Sequence, residues 1–295
     1  AIDDNLLGAA IAMYFQLSTV DYEKVFEAPL IDETIRYFTG KSEDWRRTDT
    51  CLEYLKKADE VVNMEKERAE KYPAPGTRKL VLEGARNELL MAPQKYLLEM
   101  ESSGIVHMLT SEKKEDLERV YRLYKPIEGG LDRVIQMFRE YVTKCASEIL
   151  RKADEANDTS SLISRLAACY GHFRGLADTC FDKNDEQVSK ALLFAFSEVV
   201  NKEIRGSAGI PELLAIYCDS ILRASGEKRS EEEMEIELGR AYFLISCTKD
   251  KDQLLEFYRN LMAKRFLGQK VASDDAEKNM ISKLKELSGS QYTAN

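Results

Sequence analysis

Apolar residues recur along this chain at intervals of three and four, with charged residues filling the positions between them. Leu131, Val134, Ile135, Phe138, Val142, Cys145 and Ile149 keep one stripe apolar over several helical turns. Leu162, Leu166, Cys169, Phe173 and Leu176 make a second stripe, and Leu254, Tyr258, Leu261 and Met262 a third. No convincing run alternates with the two-residue period of a half-buried strand. The pattern predicts an all-α fold of roughly a dozen helices, each hiding its apolar face against another helix. Leu131, Val134, Phe138, Val142, Phe173, Phe196 and Leu214 are the expected core positions.

Helix boundaries are written in side-chain chemistry. Thr50 with Glu53, and Ser230 with Glu233, have the spacing of capping boxes, in which a hydroxyl accepts from a free backbone N–H and the glutamate reaches back. Ser111 and Ser273 precede acidic first turns and are expected to cap helices as well. Pro73, Pro75 and Gly76 should end one helix, and Pro126, Gly129 and Gly130 should punctuate another junction. Pro93 should break the helix containing Leu89 to Met91, since proline lacks the N–H and clashes with the preceding turn. Arg205-Gly-Ser-Ala-Gly209 ahead of Pro211 is the clearest composition break and reads as a domain junction; no fixed-period repeat stands out by residue identity.

Composition narrows the function classes. With 295 residues, 44% hydrophobic and 32% charged, the chain can bury more than one core and carries much charged surface. Its 43 basic residues against 52 acidic ones, a net charge of −9, argue against a general nucleic-acid binder. Six cysteines occur without a C-x-x-C pair, and His107 and His172 are the only histidines, so zinc is not expected. Most of the cysteines fall on apolar helix faces, as reduced thiols packing as small hydrophobes do, which suits a cytoplasmic or nuclear setting. Leu7 to Phe15 is too short to span a bilayer and has no basic lead-in, so no membrane partner is expected. The chain begins with Ala1 and reads as an excerpt from a longer protein.

The apparent chemical motifs dissolve on inspection. Gly40-Lys41-Ser42 would need glycine at position 35, where Ile35 stands, to be a phosphate loop. Asp182, Asn184 and Glu186 lack the turn glycine (Gln187 occupies it) and the closing glutamate of a calcium loop, and read as a turn between helices. Asn157-Asp158-Thr159 reads as a helix-initiating loop rather than a glycosylation acceptor. His172, beside Tyr170 and Phe173, reads as structural, and His107 sits in a short link after Gly104. No pair of carboxylates is singled out for acid–base work. No catalytic, cofactor-binding or metal residue is therefore assigned.

From about Glu115 onward the chain resembles the cullin family. Glu115-Asp116-Leu117, Tyr121-Arg122-Leu123, Gly130-Leu131 and Phe138 are similar to the middle of a cullin repeat. Phe181, Asn184-Asp185, Lys190-Ala191-Leu192, Ala195-Phe196 and Asn201 resemble the helix pair that ends the third repeat, although Val188 stands where the family usually has Phe. Pro211-Glu-Leu-Leu214, Tyr217 to Leu222, Asp250-Lys-Asp252, Phe257-Tyr258, Ala263-Lys-Arg265, Ser273 to Glu277 and Met280 to Lys285 follow in order, the most specific part of the resemblance. The likeness is nearest to the branch used in SCF-type ubiquitin ligases.

The resemblance implies an elongated stack of helical cullin repeats followed by the start of a four-helix bundle. Residues 1–75 would belong to the second repeat, 76–205 to the third, and 206–295 to the bundle opening the C-terminal domain. It implies a non-catalytic scaffold holding a substrate-receptor adaptor and a RING protein with its E2, the docking segments for adaptor and RING lying mostly outside this chain. It also implies that the basic stretch around Arg223, Lys228 and Arg229 attracts the acidic tail of an E2, weakened by Ala224 where relatives often have lysine. An ordinary solvated loop is the plainer reading of that stretch. A tethering subunit of another helical assembly, or an enzyme with a deep polar pocket, stand as the other function classes.

Overall fold

In the computed structural model, residues 4–17, 22–70, 75–204, 209–224 and 229–288 are described. They form fourteen α-helices: α1 (Asp4–Leu17), α2 (Ala28–Thr48), α3 (Cys51–Ala69), α4 (Pro75–Arg86), α5 (Gln94–Leu98), α6 (Ile105–Thr110), α7 (Lys114–Tyr124), α8 (Asp132–Ala156), α9 (Leu162–Cys180), α10 (Glu186–Val200), α11 (Ile210–Leu222), α12 (Glu231–Cys247), α13 (Lys251–Leu267) and α14 (Asp274–Ser288). Two π-helical turns, Glu23–Glu27 and Asn87–Met91, adjoin α2 and α4. The expected all-α class is observed; among the described residues the only β feature is one isolated antiparallel bridge, Arg223 with Val271. The chain divides into two compact units, Ala1–Phe138 and Arg139–Asn295, the division falling within α8.

In the first unit α4 packs on α2 and α3, and α7 packs on α3 and α6. Pro93 does interrupt its helix: the π turn ends at Met91 and α5 starts after it. Without an N–H at Pro93, the carbonyl four residues earlier loses its α-helical donor. That carbonyl, Leu89 O, instead accepts from the Tyr54 hydroxyl of α3 at 2.9 Å, and Leu90 O accepts from Tyr124 of α7 at 3.2 Å. Tyr54 Oη also lies 2.9 Å from Ser42 Oγ. A phenol has one hydrogen and a carbonyl only accepts, so Ser42 is the donor in that pair. Ser42 is thus a buried residue inside α2, and Gly40-Lys41-Ser42 forms no phosphate loop.

The second unit is built from the rest of α8 and from α9 to α14. α12 packs on α9, α10, α11 and α14, and α13 packs along α11. Tyr170 of α9 stacks flat on Phe243 of α12, with centroids 3.7 Å apart, and Phe196 of α10 stands edge-on to both. The Asn201 amide group ties the ends of α10 and α12, donating to Ser197 O and Cys247 O and accepting from Lys249 N.

Both expected capping boxes are present, Thr50 with Glu53 and Ser230 with Glu233, and Ser273 Oγ accepts from Ala276 N ahead of α14. Ser111 is a correction. It ends α6 instead of starting α7, whose cap position is Lys113. The reason is a Schellman turn: Glu112 takes a left-handed φ of 49°, while Lys113 N donates to Met108 O and Glu112 N to Leu109 O. Asn157 (φ 49°) and Gln269 (φ 52°) end α8 and α13 in the same way. Asn157 therefore closes a helix, where a helix-initiating loop was expected, and Asp158 makes the turn onward by accepting from Ser160 N. Pro75 and Gly76 likewise open α4; the helix before them ends at Ala69, and Pro73 lies outside the described residues. At the Pro126 junction Gly130 is obligatory, because a Cβ there would stand 2.4 Å from Tyr124 O.

Six of the seven expected core residues are buried, Val134, Phe138, Val142, Phe173, Phe196 and Leu214; Leu131 is half-buried. The buried stripe of α8 runs through Val134, Met137, Phe138, Val142, Ala146, Leu150 and Ala153, leaving Cys145 and Ile149 at its margin. Phe138→Ala should cost about 3–5 kcal/mol in denaturant unfolding, since the ring is fully buried. Tyr54→Phe should cost about 1–3 kcal/mol by leaving Leu89 O unpaired, whereas Tyr37→Phe, on an exposed residue, should stay within about 0.5 kcal/mol.

Candidate functional site

The basic stretch singled out from sequence follows α11. That helix follows Gly209 at its N-cap, whose φ of +98° suits glycine, and carries a proline in its first turn. It stops at Leu222, where the chain turns extended and pairs with the segment after α13. Ala224 N donates to Lys270 O and Ala272 N to Leu222 O, both at 2.9 Å. The Schellman turn at Gln269 aims the second segment back alongside the first. Two helix ends that are distant in sequence are thereby fastened together.

Beneath this bridge lies a buried charge cluster. Arg265 of α13 is 1% exposed, Glu277 of α14 1% and Asp219 of α11 7%. Arg265 Nη1 donates to Asp219 Oδ1, and Arg265 Nε donates to Glu277 Oε1 at 2.8 Å. Arg265 Nη2 is also 2.8 Å from that oxygen but makes no hydrogen bond among the described residues. Tyr258 donates to Glu277 Oε2 at 3.2 Å, and the guanidinium carbon lies 5.6 Å from the Tyr258 ring centre. Burial alone would lower the Arg265 pKa, but the two carboxylates outweigh it and hold the guanidinium charged. Burial raises the Tyr258 phenol, with Glu277 adding to the effect, so it stays a donor.

Arg223 is drawn into the same cluster, its Nε and Nη2 donating to Asp219 Oδ2 at 3.0 and 2.5 Å. Arg229 Nη1 donates to Ser220 O at 2.9 Å, close to the C-terminus of α11, and its Nε lies 3.6 Å from Glu237 Oε2 of α12. Lys228 lies outside the described residues. The two described candidates thus sit at opposite ends of one connection, each already facing a carboxylate. Sequence reasoning did not assign Asp219, Arg265 and Glu277 a site. The signal was present: Arg265 continues the apolar spacing of Leu254, Tyr258 and Leu261, where a charge is out of place.

Other features of the described residues carry little polar chemistry. No group of three or more His, Cys, Asp or Glu side chains could hold a metal ion. No helix is long and apolar enough to cross a membrane. His107 lies within α6, where a link was expected, and His172 is exposed on α9 with its ring edge-on to Phe173. Asp185 caps α10 by accepting from Gln187 N and Val188 N, which makes the Asp182–Glu186 stretch a helix junction.

The family model described as the cullin alpha solenoid domain matches residues 1–295. The chain belongs to the cullin family. It is 35% identical to Cullin-2 of Arabidopsis thaliana over 289 residues, covering 93% of this chain and 39% of that protein. It is 33% identical to Cullin-1 of Oryza sativa subsp. japonica over 310 residues, covering 99% of this chain and 41% of that one. Against Cullin-3A of Arabidopsis thaliana it is 27% identical over 293 residues, again 99% of this chain and 39% of the relative. This cullin chain thus spans about two fifths of the length of the curated relatives it matches.

All six cysteines of this cullin segment are free thiols. Burial pushes Cys51, Cys169 and Cys218 up to about 12 and Cys247 to about 11, so they are packed sulfur, poorly able to form thiolates. Replacing Arg265 by Met should destabilise the fold by about 3–5 kcal/mol, because Asp219 and Glu277 would lose the buried cation between them. An unchanged unfolding midpoint would place the guanidinium in water rather than in the core.

Proposed function

We propose that this chain is the scaffold segment of a cullin–RING ubiquitin ligase of the SCF-like kind. In the parent protein it would hold a substrate-receptor adaptor and a RING–E2 module at a fixed separation. The single observation that supports this most is the match of the cullin alpha solenoid domain to residues 1–295. The physical argument follows from the helices. Ubiquitin transfer requires a substrate lysine to meet a thioester carried by another subunit, and joining the two makes the encounter effectively unimolecular. A spacer contributes to that only if it resists bending, since a floppy link spreads its ends over a large volume. Buried residues such as Phe138, Phe173, Phe196 and Leu214 would then be the functional residues, through the stiffness they confer.

Within this reading, 1–75 is part of the second repeat, 76–205 the third repeat and 206–295 the opening of the C-terminal bundle, in a protein of the cytoplasm or nucleus. The chain itself has no catalytic role in it. The basic stretch contributes by steering: Arg223, Lys228 and Arg229 would raise the association rate of an E2 with an acidic tail, an effect that fades with salt.

The test uses the full-length parent. A flexible Gly/Ser insert after Glu140, within α8, should leave adaptor and RING co-purification intact while slowing ubiquitin transfer to a tethered substrate by about tenfold or more. Transfer at the parental rate would defeat the fixed-separation reading. Failure of the uninterrupted parent to co-purify with a RING protein would instead favour a tethering subunit of another assembly.

A further inference from the structure

Four charges converge on the bridge between the ends of α11 and α13. Arg265, Asp219 and Glu277 are buried, and taken alone they carry one positive charge against two negative ones. An unbalanced charge in a dry setting is costly, and removing one member of a buried set leaves its partner uncompensated. Arg223 brings the sum to zero. Its Nε and Nη2 both grip Asp219 Oδ2, on the opposite side of the carboxylate from Arg265, and its backbone N–H donates to Asp219 O at 2.9 Å. The same residue forms the β-bridge with Val271, so its backbone is fixed as well.

We infer that Arg223 serves inward, as the counterion that completes a charge quartet with Asp219, Arg265 and Glu277 and locks the ends of three helices together. Its side chain is still 41% exposed, at the rim of the cluster, but Nε and Nη2 are committed to Asp219 and not offered to an acidic partner. This refines the acidic-tail reading of the basic stretch and rests on it only for the partner's identity; the quartet stands without it. Lys264 and Lys270 sit at the other helix end of the bridge, are exposed, and make no ion pair among the described residues. Both are left to solvent at this junction.

The experiment restores charge balance without restoring the arginine. Arg223→Met, Asp219→Asn and the double variant are made in the chain, with Arg223→Lys as a milder form. Readouts are the thermal midpoint and the hydrogen exchange of the Ala224 and Ala272 amides, which donate across the bridge. Each Met or Asn single variant should lower the midpoint by about 3–6 °C and speed exchange at both amides. The double variant, neutral again, should recover at least about half of the loss, and Arg223→Lys should fall between parent and Arg223→Met. A poly-glutamate peptide serves as the acidic probe, and Arg223→Met should leave its affinity within about twofold of the parent. Losses that simply add in the double variant, or unchanged melting and exchange in Arg223→Met, would overturn the inference. So would loss of peptide binding with the fold untouched. If the parent itself ignores the peptide, the acidic-tail reading fails, while melting and exchange still decide the quartet.

Discussion

An α-helix satisfies its backbone internally, so it has no ladder of hydrogen bonds to offer a neighbour. Where strands in a sheet share their main chains, helices can be held together only by side chains and by whatever happens at their ends. That constraint organises this molecule. Besides aliphatic packing, its contacts between helices include aromatic stacking at Tyr170, Phe196 and Phe243, phenols reaching carbonyls at Leu89 and Leu90, and a buried guanidinium between two carboxylates. Among the described residues the one main-chain link between separated segments, the bridge at Arg223 and Val271, forms only where two helices have ended.

How the ends are made matters as much as how the faces pack. Among the described residues three helices close on a residue with left-handed backbone, and in each case that residue is not glycine but Glu112, Asn157 or Gln269. Ordinary residues in that region are strained by about 1–2 kcal/mol, offset here by two carbonyls satisfied at each turn. Gln269 sends the chain back against α11 and so sets where Lys270 and Arg223 lie. A local backbone choice thereby fixes the surroundings of a charge cluster assembled from residues as far apart as 219 and 277.

Much of this was legible in the sequence. The helical period identified the class, the capping boxes at Thr50 and Ser230 and the break at Pro93 were readable from residue type and spacing, and ordered blocks from Pro211 to Lys285 pointed to the cullins before the family match did. What stayed hidden has one physical character. Ser111 was misplaced because an acidic first turn marks a helix start, whereas a left-handed Glu112 leaves no mark in residue type. Leu131 was expected in the core because its spacing fits, but it precedes the first turn of α8, and Met137 takes a place on the buried face. The quartet escaped because Asp219, Arg265 and Glu277 come together only once three helices are docked. Periodicity marks a charge in an apolar stripe, but it does not say which charge answers it.

The state of the sulfur has a consequence of its own. Four of the six thiols are buried and two are half-buried, and for four of them the ionised, nucleophilic form is reached only in strongly alkaline solution. On the scaffold reading the parent protein works with an activated acyl group carried as a thioester, and a competent thiolate within its reach would be a rival acceptor. The four cysteines whose thiols burial holds up would offer no such rival near neutral pH.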